Sequence, residues 1–141
     1  MPAYMWVAVA SAVVNLGAIP ILADINHTFG IDADDLLRRI TPKTRGIIAV
    51  HTSGAPIDVI SIAKIARDRG LFLLEDCAQA NGASIAGQKV GTIGDMAIFS
   101  FQMNKNMTVV RAGASSPATC DCTAERWPAM ILATHVMNRA D

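Results

Sequence analysis

Two charged residues stand close to the ends of apolar runs, and their types are those that enzymes use for covalent and acid–base chemistry. Asp76 closes the run "LFLLED" at 71–76, and Lys105 follows the run "MAIFSF" at 96–101. Each has an ordinary interpretation, because an Asp at a strand end commonly caps a turn and a lone lysine is usually a solvated surface charge. The chemical alternative is that Lys105 is a nucleophile and Asp76 is a buried carboxylate that faces a cationic partner.

The surrounding sequence predicts the secondary structure that would position both residues. Periodicity and capping residues predict helices over 6–16, 31–40 and 57–70. Gly17 and Gly70 fit the C-terminal caps of the first and last of these helices. Continuous apolar runs predict strands over 19–25, 46–51, 71–76 and 96–101. The first helix and the first strand are both expected to be buried, the strand on both of its faces.

This alternation of helices and apolar strands predicts an α/β fold with a mostly parallel sheet and helices on both faces. In such sheets ligands bind beyond the carboxyl ends of the strands. The candidates at or beyond these ends are His51, Glu75, Asp76 and the residues after Phe101.

Composition excludes several classes of function. The chain has 141 residues, enough for one domain, and its 12 Lys and Arg balance 12 Asp and Glu. It therefore has no basic field for nucleic acid or an anionic membrane. The apolar segment 6–23 is interrupted by Asn15, Gly17 and Pro20, so we do not expect a membrane span. No basic residue precedes Arg38, so we do not expect a signal peptide. Three cysteines make no disulfide framework and no four-ligand zinc pattern, which favours the cytoplasm.

Asp76 and Lys105 together match the needs of a pyridoxal 5′-phosphate site. A lysine bonds to the cofactor aldehyde, and a carboxylate keeps the pyridine nitrogen protonated, which makes the ring a better electron acceptor. The stretches "ITPKTRGIIAVHTSGAPID", "LLEDCAQANGASIAGQKVGTIGDMAIFSF" and "NKNMT" together resemble the DegT/StrS family of pyridoxal-phosphate aminotransferases. This resemblance covers residues 2–108.

The resemblance implies roles for five residues. Lys105 would be the catalytic lysine that bonds to the cofactor and moves a proton, and Asp76 would pair with the ring nitrogen. Gln79 would neighbour the ring hydroxyl, and Ser100 would bind the phosphate. Trp6 stands where relatives stack an aromatic side chain on the ring, although a core aromatic is the alternative.

The resemblance also implies the reaction. Family members aminate keto groups, mostly on nucleotide-linked sugars, and the expected amino donor is glutamate or glutamine. A lysine at position 105, rather than a histidine, favours amino transfer over dehydration. The implied architecture is an incomplete large domain of a fold-type I transferase, and full-length family members are expected to be homodimers. No metal is implied.

Other residues keep open interpretations. His51 matches a family histidine but is equally interpreted as a satisfied core histidine. Asn81 stands where many relatives have histidine and receives no role. Cys77 is interpreted as a small core residue. His27 has no identifiable partner.

The pattern changes after Thr108. Residues 109–141 show little periodicity, and we expect an atypical, poorly ordered tail there. A shift of reading frame is one hypothesis, because codons that start at the third base of the present ones can encode a strand and a helix similar to the family continuation. The family's phosphate-binding loop, which precedes the position of Trp6, is also expected to be missing.

Three functional interpretations follow. The first is an aminotransferase whose present chain is weakly active or inactive, and the second is an inert fragment or pseudoenzyme with part of a cofactor site. The third, a small nucleotide-binding module, is disfavoured because no strand is followed by a G-x-G-x-x-G or Walker-type loop.

Overall fold

The computed structural model describes residues 1–105, 107–108 and 113–117. The chain divides into two units, of which the first takes in residues 1–5 and the described residues from 21 onward. Residues 6–20 belong to the second unit. Lys105, Asp76, Gln79 and Ser100 therefore share the first unit, and Trp6 lies in the second.

The described residues of the first unit build a four-stranded sheet with the order β1-β2-β5-β6. The first three of these strands run parallel, and β6 runs antiparallel to β5. A short antiparallel hairpin of β3 and β4 interrupts the connection between β2 and β5. The bounds are β1 Gly46–Val50, β2 Phe72–Asp76, β3 Ser84–Ile85, β4 Gln88–Lys89, β5 Met96–Ser100 and β6 Gly113–Pro117. The predicted α/β class with a mostly parallel sheet is confirmed.

Two helices belong to this unit, α2 at Ala33–Arg39 and α3 at Val59–Asp68. Each begins at an aspartate whose side chain accepts a backbone N–H from the first turn, Asp32 in α2 and Asp58 in α3. Helix α3 ends before Gly70, whose positive φ of 62° suits a residue without a Cβ. The predicted cap is confirmed, and it turns the chain directly into β2.

The core of this unit lies between α3 and one face of β1 and β2. Alternate strand residues point to it, so Ile47, Ala49 and Leu73 pack with Ile62 and Ala66 of the helix. Burial of each large aliphatic side chain contributes about 1.5–3 kcal/mol. This packing fixes the direction of β1 and β2 and hence the place where both strands end.

The second unit contains α1, Val7–Asn15, which ends with Gly17 at a φ of 73°. The helix and its cap are confirmed, but the expected burial is wrong, since no residue of α1 is buried. An apolar helix is buried only by packing partners, and residues 6–20 provide none for themselves. No helix among the described residues is long and apolar enough to cross a membrane, and α1 has only nine residues.

The predicted strand at 19–25 is also wrong. Its β-type pairings with the described residues are two isolated bridges, Pro2 with Ala23 and Ile25 with Ile31. Ala23 is buried, whereas Ile19 is 82% exposed. A strand is buried on both faces only inside a sheet, and the four strands of the described sheet do not pair with this segment.

The predicted tail contributes strand β6, which pairs with β5 from Met96 to Ser100. Five of its residues therefore join the sheet, although the sequence shows little periodicity there. The other residues of 109–141 lie outside the described part of the chain. The domain boundary at Thr108, the poor order of the tail and the shifted reading frame stay predictions.

The core of the first unit can be tested with two isoleucines on α3. Ile62 is 2% exposed, and Ile62→Ala is expected to lower the free energy of unfolding by about 2–4 kcal/mol. Ile60, on the same helix, is 37% exposed, and Ile60→Ala should cost less than about 1 kcal/mol. Urea titrations followed by circular dichroism give both values, and equal costs would contradict the described packing.

Candidate active site

The parallel strands β1, β2 and β5 end at one edge of the sheet. Val50 is in register with Asp76, and Asp76 with Ile98, so Asp76 stands at that edge. The loops that leave the three strands carry Ser53, Gln79 and Lys105. This is the edge at which ligands bind in open α/β sheets.

An open cavity of about 390 Å³ lies among these loops. Its volume is within the range of small-molecule sites. Residues from all three loops line it: Ser53, Gly54, Gln79, Asn104 and Lys105. The structure thus brings Lys105 and Gln79 to one cavity.

Asp76 is only 6% exposed, and its Oδ1 accepts the backbone N–H of Ala78 at 3.0 Å. No other hydrogen bond reaches this carboxylate from the residues described. Burial raises the pKa of Asp76, and the Ala78 N–H and the nearby Lys105 and His51 only partly oppose that rise. Asp76 is therefore a buried acid whose negative charge is incompletely compensated.

Glu75, the neighbouring residue, is fully compensated. Its side chain is 0% exposed, and Oε1 accepts the N–H groups of Ile93 at 2.8 Å and Gly94 at 2.6 Å. Oε2 accepts the N–H of Gly91 at 2.8 Å and lies 3.2 Å from His51 Nε2. Burial alone would raise the pKa of Glu75, but His51 and the three backbone donors together hold it below its ordinary value.

The sequence left two interpretations of His51 open. In the structure it is a core histidine with both ring nitrogens hydrogen-bonded. It is 0% exposed, and its Nδ1 accepts the Ile57 N–H at 3.2 Å. Since Nδ1 accepts, the ring proton is on Nε2 and points to Glu75. The pair Glu75–His51 therefore holds the loop that leaves β1 at both of its ends, residues 51 and 57.

Cys77 completes a buried group with these two residues. The donor atoms of His51, Glu75 and Cys77 lie within 4.8 Å of one another, a separation that a metal site would also show. However, both oxygens of Glu75 and both nitrogens of His51 already have hydrogen-bond partners. Burial and the two adjacent carboxylates raise the pKa of Cys77 to about 12. A neutral thiol is a poor ligand, and Cys77 packs in a small apolar cluster as the sequence suggested.

Ser100 ends β5 and does not line the cavity. Its backbone carbonyl accepts the side-chain amide of Asn81 at 2.9 Å. Asn81, which had no role in the sequence interpretation, thus ties the loop after Asp76 to the end of β5. Trp6 is 72% exposed and belongs to the other unit.

The sheet topology, together with a buried carboxylate at one strand end and a lysine beyond another, defines the class as part of the large domain of a fold-type I pyridoxal-phosphate transferase. The chain belongs to the DegT/DnrJ/EryC1/StrS aminotransferase family, whose model matches residues 1–121. That match extends past Thr108 and includes β6.

Relatives and solved structures agree with this assignment. The chain is 42% identical, over 119 residues, to an L-glutamine:2-deoxy-scyllo-inosose aminotransferase of Streptomyces kanamyceticus, covering 84% of this chain and 28% of that protein. The crystal structure of DesI with its TDP-sugar product has a TM-score of 0.81 at 29% identity, covering 94% of this chain and 33% of the other. A putative sugar aminotransferase from Streptococcus pneumoniae, in its PLP-form, has a TM-score of 0.81 at 28% identity, covering 93% and 38%.

The chain spans about a third of the length of these relatives. The predicted family, its fold, its class of enzyme and pyridoxal phosphate as its cofactor are confirmed. The roles of the individual site residues stay predictions.

Sequence reasoning missed two parts of this site. Glu75 was a candidate only as an acid at a strand end, and the glycine-rich segment "GTIGD" at 91–95 gave the one signal of a backbone that closes on a carboxylate. The turn at Ser53 and Gly54 was not selected either, although a Ser-Gly pair after a strand is a turn signal.

The compensation of Glu75 predicts a large cost for Glu75→Gln. An NH₂ group in place of Oε2 would face two donors, the Gly91 N–H and the His51 Nε2–H. If His51 changed tautomer to relieve this, its Nδ1–H would face the Ile57 N–H instead. The free energy of unfolding should fall by about 2–5 kcal/mol near neutral pH. Because the pKa of Glu75 is lowered, this stabilisation is present above its ordinary pKa of 4.5 and is lost as pH falls through the folded value.

Denaturant titrations at several pH values check the prediction, with Asp68→Asn as the control for charge removal on an exposed residue. The control should change stability by less than about 0.5 kcal/mol. A Glu75→Gln protein as stable as the control would contradict the described network.

Asp76→Asn should have the opposite effect on the cofactor-free protein. The pKa of Asp76 is raised above its ordinary 3.8, so its ionised form reduces stability as pH rises from 3.8 through the folded value. Asparagine keeps an acceptor for the Ala78 N–H without the charge. The variant should be more stable than the natural chain at pH 7, with a gain that shrinks as pH approaches 3.8. Thermal unfolding across this range measures it, and a loss of stability at pH 7 would show that Asp76 is compensated.

Proposed function

We propose that this chain provides the cofactor-binding part of an aminotransferase that moves an amino group from an amino acid to a keto group of a nucleotide-linked sugar. The observation that carries the proposal is the meeting of Lys105 and Gln79 in one cavity, at the sheet edge where Asp76 is buried. The TDP-sugar product in the DesI crystal supports the sugar class. Glutamate or glutamine is the proposed amino donor, and glutamine is the donor in the name of the Streptomyces kanamyceticus relative.

The residues fit pyridoxal 5′-phosphate. Asp76 is a buried carboxylate with a raised pKa and one backbone donor, and a protonated ring nitrogen would compensate its charge. Lys105 lines the cavity and presents an amine that can bond to an aldehyde. When bound, the cofactor supplies an aromatic ring that withdraws electrons from the substrate carbon.

Each residue then has a defined task. Lys105 would hold the cofactor through its amine, and the same amine would accept and return the proton of the substrate carbon. Asp76 would keep the ring nitrogen protonated. Gln79 would face the ring hydroxyl and Ser100 would contribute to phosphate binding. The stacking role of Trp6 stays a prediction from the resemblance.

The second candidate is that these 141 residues alone are weakly active or inert and retain part of a cofactor site. The chain spans 28% to 38% of the length of the three proteins compared above. For the whole protein we propose a homodimer, as the resemblance to the family implies. We propose the cytoplasm as its location, because Cys77 is a free thiol and the chain has no disulfide framework.

A cofactor titration separates the two candidates. Adding pyridoxal phosphate to the purified chain should produce a visible absorption band that is absent in Lys105→Ala. Lys64→Ala, on the exposed side of α3, is the matched control and should keep the band. A band that persists in Lys105→Ala would exclude Lys105 as the bonding residue, and no band in the natural chain would favour the inert candidate. Amino transfer to a keto sugar, followed by chromatography, tests the reaction itself.

A further inference from the structure

The turn after β1 has an unusual backbone at Ser53. Its φ is 55°, in the left-handed region that residues with a Cβ seldom adopt, and Gly54 follows with a φ of 83°. The Ala55 N–H donates to the Thr52 carbonyl at 3.0 Å and closes the turn. A left-handed non-glycine residue costs about 1–3 kcal/mol, so other interactions must hold it.

Within this turn the Ser53 N–H faces the next loop. This N–H donates to Gln79 Oε1 at 2.9 Å, a contact between residues 26 positions apart. The loop itself is held at Ile57 by His51, which is in turn bonded to Glu75. The buried pair therefore fixes the turn that reaches Gln79.

The contact also determines which end of the Gln79 amide is free. A backbone N–H must donate to an oxygen, so Oε1 faces Ser53 and Nε2 points elsewhere. Gln79 lines the cavity together with Lys105, and no other hydrogen bond of its side chain occurs among residues 1–105, 107–108 and 113–117. The NH₂ group of Gln79 can thus donate within the cavity.

We infer that Ser53 is a positioning residue, whose main-chain N–H holds Gln79 so that the amide NH₂ donates to an oxygen of the cofactor ring beside Lys105. The inference rests on the proposed function for the identity of that oxygen. In this inference the left-handed turn determines that the amide oxygen of Gln79 faces Ser53 and that its NH₂ group faces the cavity. The side chain of Ser53 is not required, since only its backbone makes the contact.

The test is a double-mutant cycle in the full chain. Ser53→Gly and Ser53→Asn tolerate the left-handed conformation and keep the N–H in place, whereas the β-branched side chain of Ser53→Val opposes it. Because Ser53 is exposed, the side chains themselves create no cavity. Each Ser53 variant is made both with the natural Gln79 and with Gln79→Met. The dissociation constant for pyridoxal phosphate is then measured by absorbance. Unfolding of the cofactor-free protein is followed in parallel.

Ser53→Val is expected to weaken cofactor binding about tenfold, which corresponds to the loss of one hydrogen bond. Ser53→Gly and Ser53→Asn are expected to weaken it less than about twofold. In the Gln79→Met background, Ser53→Val should cause no further weakening, since the residue through which it acts is gone. The same weakening in both backgrounds would overturn the inference, as would equal weakening by Gly and Val.

Gln79→Glu tests the polarity of the amide. Its carboxylate can still accept the Ser53 N–H but cannot donate, so it should weaken cofactor binding about tenfold while Ser53 stays protected. Hydrogen exchange of the Ser53 amide, measured in the cofactor-free protein, should be slow in the natural chain and in Gln79→Glu and fast in Gln79→Met.

Fast exchange in the natural chain would overturn the inference whatever the cofactor does. Slow exchange in a chain that binds no cofactor would instead overturn the proposed function and, with it, the assignment of the acceptor oxygen.

Discussion

The buried carboxylate of Glu75 is the constraint on which the strand-end region depends. An ionised carboxylate that is 0% exposed must be paired, because the desolvation of an unpaired charge is far costlier than one hydrogen bond returns. Three backbone N–H groups from residues 91–94 and one histidine proton meet this demand. As a result the loop that enters β5 closes on β2, and the loop that leaves β1 is held through His51.

Glu75 and its neighbour Asp76 on β2 differ in how far their negative charges are compensated. Successive residues of a strand point to opposite faces, so two adjacent acids meet different surroundings. Glu75 receives four donors and its pKa is lowered, whereas Asp76 receives one from Ala78 and its pKa is raised by burial. The first acid holds the loops together. The second is left with a charge that a bound cation can compensate, which is the property expected of a cofactor partner.

The loops transmit this arrangement to the cavity. His51 anchors the turn that contains Ser53, and Ser53 holds Gln79, which lines the cavity with Lys105. Asn81 forms a second tie, from the loop after Asp76 to the carbonyl of Ser100 at the end of β5. Residues without a reactive group thus determine how the reactive side chains are positioned. Gly91 and Gly94 contribute backbone N–H groups that approach Glu75 closely.

The sequence by itself determined the family, the α/β class, the helices near 7–15, 33–39 and 59–68, and three strands of the sheet. It could do so because helix and strand periods, caps and motifs are local properties of the chain. Burial is not local, which is why the segment 19–25 looked like an interior strand although Ile19 is 82% exposed. Only the tertiary structure decided which acid is compensated and which amide end is free, since Glu75 meets donors 16 to 19 residues away and Ser53 meets Gln79 across 26. No local pattern specifies such pairs, because they form only when the packed sheet brings separate strand ends to one edge.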